Sequence, residues 1–184
     1  MQWRNTSDRF GAISIFLHWG VALVVFGLFG LGLWMVGLDY YSSWYKTAPD
    51  IHKGIGVLLF LVMGLRLVWR FMSPPPPAPA NHGRITRLGS KLGHLALYAG
   101  LFALMISGYL ISTADGRGIE VFGLFEVPAT LTTIPDQEDV AGVVHEYLAW
   151  GLVIFAGLHA LAALKHHFID RDATLVRMLG RAAK

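Results

Sequence analysis

Eight histidines carry the chemistry legible in this chain. Three of them, His145, His159 and His166, share one face of an apolar stretch from about Val140 to Phe168. A helix advances about 100° and 1.5 Å per residue. The fourteen-residue step from His145 to His159 is therefore nearly four turns, about 21 Å along one face, and seven more residues reach His166 on the same stripe. His18, His52 and His94 sit in other apolar stretches. Imidazole titrates near neutrality and ligates iron, zinc and copper alike. Imidazoles stacked on one face of an apolar helix therefore call for partners on neighbouring helices.

The elements that must position them are membrane helices. The chain has 184 residues, 54% of them hydrophobic and only 15% charged, with a mean hydropathy of +0.52. That is too apolar for an ordinary soluble domain of this size. The expectation is one membrane-embedded domain over residues 1–184, with all-α architecture and four transmembrane helices at roughly 10–38, 49–71, 91–114 and 140–168. Phe10 to Leu38 is too long for the apolar region of a signal peptide, and three more apolar segments follow it. Trp34, Tyr40, Tyr41, Trp44 and Tyr45 form an interfacial aromatic belt at its far end. The second span carries Lys53 near one end and Arg66 and Arg70 near the other, where long basic side chains can snorkel. Ser73 to Pro79 is proline-rich and reads as a stiff connector, with His82 solvated just beyond it. The connection from Asp115 to Asp139 holds an amphiphilic stretch, Gly118 to Thr130, read either as an interfacial segment covering the end of the bundle or as a surface loop. Asp170 to Lys184 reads as a polar tail.

Lys and Arg set the sidedness. Twelve lie in the N-terminus, the Arg66–Lys91 region and the tail, against Lys46, Lys53 and Arg117 on the opposite connections. This positive-inside pattern puts both termini in the cytoplasm. His52 and His145 then share the outer level, and His18 and His159 the inner level, about 21 Å away. Two imidazoles leave a zinc site short of ligands, and no Cys, Asp or Glu stands at either buried level to complete it. A haem brings four equatorial nitrogens of its own and needs only two axial ligands. The metal-ligating set is therefore His18, His52, His145 and His159, holding two non-covalent, bis-histidine haem b groups inside the bundle. His94 also lies at the inner level. It competes with His18 or His159, but it stands only three residues past Lys91 and His18 is deeper. The absence of cysteine excludes disulfides, iron–sulfur clusters and covalent haem attachment. Arg66 and Arg70 lie on the His52 face near the cytoplasmic end, placed to meet haem propionates or a quinone head group. Together with His94 and His166 they make the candidate cofactor-binding set. His166 is suited to hydrogen-bond a quinone carbonyl or move a proton.

Several motifs resemble the bacterial cytochrome b561 family over nearly the whole chain. They are Ser14-Ile15-Phe16-Leu17-His18-Trp19, Ile51-His52-Lys53-Gly54-Ile55-Gly56, Gly93-His94-Leu95, Val144-His145-Glu146, and Gly157-Leu158-His159-Ala160 followed by Lys165-His166-His167. Leu33-Trp34-Met35-Val36, Gly108 to Gly116 and Val121 to Phe125 are most similar to the YceJ-like branch. The resemblance implies a four-helix protein of the bacterial inner membrane with two b haems, the family's ligands falling on His18, His52, His145 and His159. One relative is a superoxide oxidase that passes electrons from periplasmic superoxide to ubiquinone. The branch is also associated with a periplasmic isoprenoid-binding, lipocalin-like protein, a candidate partner here.

The sequence thus points to a membrane cytochrome carrying electrons between a periplasmic-side donor and the ubiquinone pool. In the enzymatic version, superoxide:quinone oxidoreductase, Lys53 and Arg117 form an outer anion site. In the alternative, the chain is a cytochrome anchor exchanging electrons with a docked periplasmic protein. Seven carboxylates against one Arg between Asp115 and Glu146 favour that version. A haem-free transporter with histidine proton relays lacks the broken helices or inverted repeats it would need.

Overall fold

A computed structural model describes residues 2–79 and 81–181. Four long helices carry the chain, α1 (Ala12–Met35), α2 (Thr47–Met72), α3 (Arg84–Ser112) and α4 (Gln137–Phe168), with a short α5 (Thr174–Met178) after them. All four long helices are long and apolar enough to cross a membrane. Their apolar residues face outward: in no apolar window is more than 11% of the residues buried within the protein. Phe16, Leu23, Leu65, Ile154 and Leu161 are among the exposed side chains. This is what a lipid solvent selects, because backbone polar groups are satisfied inside each helix and side chains gain nothing by hiding from hydrocarbon. Close approach replaces a large core, and few hydrophobic side chains among the described residues are fully buried.

The helices divide between two compact units, each described by itself. The first comprises Met1–Ala22, Val62–Ala99 and Val153–Lys184, and the second comprises Leu23–Leu61 and Gly100–Leu152. In the first unit, the Trp69 indole donates to Ser14 Oγ at 3.0 Å, joining α2 to α1. Asn5 is tied to the Ser73 hydroxyl at 2.9 Å and to the Ser73 carbonyl at 2.7 Å, and the Trp19 indole donates to the Met178 carbonyl at 3.1 Å. In the second unit, edge-to-face pairs Phe29–Trp150 at 5.0 Å and Phe60–Phe102 at 5.5 Å link α1 to α4 and α2 to α3.

Three sequence expectations change. Helix α3 begins at Arg84, not near Lys91. Hydropathy marks only the lipid-facing part of a helix, and nothing after Gly83 breaks the basic turns that precede it. The stretch Gly118–Thr130, read as an interfacial segment or a surface loop, has regular structure of its own. It forms an antiparallel hairpin, β1 (Ile119–Val121) against β2 (Phe125–Val127), in register Ile119↔Val127, Glu120↔Glu126 and Val121↔Phe125. Ile119 and Val121 are buried while Glu120 is exposed, the alternation expected of a strand with one covered face. Phe122 and Gly123 both have positive φ, at 52° and 70°, and the Leu124 amide closes the turn on the Val121 carbonyl at 2.9 Å, a mirror-image turn of the kind hairpins favour. The Phe122 ring lies so close to Gly54 that a side-chain carbon there would come within 2.8 Å of it. Finally, the region after α4 is not only a polar tail, because α5 folds back within the first unit. Lys184, counted with its basic residues, lies outside the described residues.

Candidate functional site

In the second unit the structure brings His52 of α2 and His145 of α4 together, with ring centroids 6.2 Å apart. His145 is oriented from behind. Its Nδ1–H donates to the Leu104 carbonyl at 3.0 Å, and Ser107 Oγ lies 3.1 Å from the same nitrogen. That fixes the tautomer and leaves Nε2 as a free lone pair. Gly108 makes the approach feasible, since a side-chain carbon there would stand 3.0 Å from the imidazole. Gly32 gives His52 similar room at 3.4 Å. His52 Nδ1 is buried without a hydrogen-bond partner, so this pair has unspent ligating capacity.

The first unit gathers His18, His94 and His159. His18 and His159 have ring centroids 6.4 Å apart, and His94 and His159 are closer at 5.2 Å. Because α3 starts at Arg84, His94 is well inside its helix rather than in its first turn. Its Nδ1–H donates to the Ser90 carbonyl at 2.7 Å, one turn back. Arg66 reaches this cluster, with its guanidinium 3.1 Å from His18 Nδ1. Tyr98 carries both arginines of α2, Arg66 at 5.4 Å and Arg70 at 5.9 Å from its ring centroid. Tyr98, Ser107 and Leu104 escaped the sequence reading. Only their one-turn offsets from His94 and their place opposite His145 could have signalled them.

The two residues proposed from sequence as an outer anion site are engaged locally. Lys53 pairs with Asp50 at 2.8 Å. Arg117 is bound by Asp115 through a 2.6 Å contact from Nε, and the mutual attraction lowers the Asp115 pKa and raises that of Arg117.

His166 does not stand free below His159. With His82 and Asp172 it forms a separate cluster in the first unit. His82 was read as solvated, yet only 9% of its side chain is exposed, and its Nε2 lies 2.7 Å from Asp172 Oδ2. The connector turns it inward onto the C-terminal segment, where Arg177 holds the Pro77 carbonyl at 2.8 Å. Arg171, at φ 53°, swings the chain back so that the Asp172 amide meets the His166 carbonyl at 3.0 Å. Burial would raise the Asp172 pKa, but hydrogen bonds from Thr174 and His82 outweigh it and hold the carboxyl down at about 2.

The sequence matches the model of the prokaryotic cytochrome b561 family over residues 9–181. It is 53% identical over 183 residues to cytochrome b561 homolog 2 of Escherichia coli (strain K12), covering 100% of this chain and 97% of that one. It is 31% identical over 173 residues to the probable superoxide oxidase CybB of Yersinia pestis, covering 93% and 96%. To cytochrome b561 homolog 1 of E. coli it is 30% identical over 183 residues, covering 95% and 98%. These matches run through all four apolar helices and both sets of paired histidines, and the chain belongs to the prokaryotic cytochrome b561 family.

Proposed function

We propose that this membrane b-type cytochrome is a single 184-residue electron-transfer domain holding two haem b groups, one between His52 and His145 and the other between His18 and His159. The supporting observation is the spacing of the rings. A metal–imidazole bond of about 2 Å plus about 1.1 Å from nitrogen to ring centre, taken on both sides, requires centroids about 6.3 Å apart. The two pairs stand at 6.2 and 6.4 Å. His94 and His159, at 5.2 Å, are too close to flank a metal coaxially. The orphaned Nδ1 of His52 and the oriented ring of His145 fit the same reading.

Haem b supplies one-electron relay when bound; the chain sets its ligation and surroundings. Arg66, beside His18 at 3.1 Å, and Arg70 and His94 near it are the residues that would meet a haem carboxylate. The positive-inside distribution supports cytoplasmic termini in a bacterial inner membrane. Electrons then run from a periplasmic-side donor to a quinone such as ubiquinone near the basic residues. Counting b haem per chain tests the ligation. Wild type should hold two, and His52→Ala and His145→Ala one each; two haems retained in both variants would remove the outer pair.

The likeness to a probable superoxide oxidase supports superoxide as the donor, with Lys53 and Arg117 as the anion site. Both cations are already paired with carboxylates, and a positive funnel is what speeds capture of an anion. A docked protein donor, such as an isoprenoid-binding lipocalin-like protein, is the alternative favoured by the acidic connection. Stopped-flow mixing with superoxide separates the two. If superoxide is the donor, it should reduce the haems in wild type about tenfold faster than in Lys53→Glu at low salt; no reduction in wild type rejects the enzymatic reading.

A further inference from the structure

We infer that His82, His166 and Asp172 form a binding site for a divalent transition-metal cation of the zinc type, separate from the paired imidazoles. One ligating atom from each of the three lies within 4.8 Å of the others. Asp172 Oδ2 is the common centre, 2.7 Å from His82 Nε2 and 3.1 Å from His166 Nδ1. Asp170 Oδ2 lies 2.8 Å from the same His166 nitrogen and offers a fourth donor, held meanwhile by Lys165 at 2.7 Å.

The His166 nitrogen makes the case for a cation rather than a set of hydrogen bonds. It is buried and has two carboxylate oxygens within 3.1 Å, yet it has no hydrogen-bond partner. Neither oxygen lies where an N–H would point. His82 Nε2 can share a proton with Asp172 at 2.7 Å, whereas the His166 nitrogen faces carboxylate oxygens without a hydrogen bond, a costly arrangement that a bound cation would relieve. Tetrahedral zinc with bonds of about 2.0–2.2 Å sets its donors about 3.3 Å apart. The observed separations of 2.7, 2.8 and 3.1 Å would need to open by about 0.2 to 0.6 Å to reach that spacing. The Thr174 amide, donating to Asp172 Oδ1 at 2.8 Å, holds the carboxylate with Oδ2 turned to the imidazoles. Nitrogen and carboxylate donors without thiolate suit zinc or another first-row divalent ion. Such an ion would pin three separate segments together: the connector after α2, the last turn of α4 and the segment leading into α5.

The test uses the haem-loaded, tag-free protein in detergent, stripped with a chelator and titrated with Zn²⁺ against a chromophoric competitor. One equivalent should bind, and zinc-edge X-ray absorption should report two imidazole nitrogens and carboxylate oxygen. His82→Asn and Asp172→Asn should each weaken binding by more than about tenfold, while His167→Ala leaves it unchanged. The zinc-edge spectrum of wild type needs no variant to fold. Absence of a saturable equivalent, a zinc shell without two imidazoles, or equal affinity in both Asn variants would overturn the assignment.

Discussion

Replacing His18 with Ala should cut the haem content of the purified protein from two per chain to one, and replacing His94 with Ala should leave two. Both imidazoles lie near His159, and both stand well within their helices, so helix position does not separate them. Distance does. An axial pair needs room for the metal, and 6.4 Å between the His18 and His159 centroids provides it where 5.2 Å does not. The Nδ1–H bond from His94 to Ser90 gives it a fixed tautomer with Nε2 turned toward the cluster. That arrangement suits a polar neighbour of the cofactor as well as it suits a ligand. Pyridine haemochromogen spectra with haem counted per chain check this. Loss of haem in His94→Ala with retention in His18→Ala would redraw the inner pair as His94–His159.

Arg66→Met should lower the midpoint potential of the inner haem by about 100 mV while leaving the outer one unmoved. The guanidinium is 3.1 Å from His18 Nδ1, and a positive charge there favours the reduced, less positive state. At an effective dielectric constant of about 20 and a separation of about 7 Å, one charge contributes about 2 kcal/mol, equivalent to roughly 100 mV for one electron. Arg70, across the same tyrosine ring, adds to the effect from farther away. Spectroelectrochemical titration of wild type and variant reads the shift directly; coincident curves would place Arg66 outside the electrostatic reach of the iron. The asymmetry has a direction. Two arginines attend the His18 cluster, whereas Lys53, next to His52 in the chain, is paired with Asp50. Under the proposed function, this asymmetry would make the inner haem the better electron acceptor, the direction that transfer from an outer donor to an inner quinone would use.

The histidine pairs were legible in the sequence because a membrane helix leaves little freedom. Its rise per residue fixes height, and alternating spans fix which heights coincide. The meeting of His52 with His145 follows from that arithmetic, whereas at the inner level it brings His18, His94 and His159 together without choosing among them. His82 did not follow, because its position depends on how a proline-rich connector bends and on a contact to Asp172, ninety residues away. The hairpin was signalled but overlooked. Ile119-Glu120-Val121 and Phe125-Glu126-Val127 alternate apolar and acidic residues around Phe122-Gly123, a period of two that an interfacial reading passes over. Tyr98 gave no signal of its own; an aromatic in an apolar helix acquires meaning only once both arginines are seen to lie over it.

The contacts between the connector and the C-terminal segment also order the assembly of the protein in time. Pro77 waits for Arg177, one hundred residues later, and Asn5 waits for Ser73. During synthesis the connector between α2 and α3 can be held at its start by Asn5 as soon as Ser73 is made. Its contacts with Asp172 and Arg177 come only once the segment after α4 has followed. The closing event of biogenesis is therefore a soluble-side latch, and a chain shortened after Phe168 would keep its four membrane helices and lose the fastening between their ends.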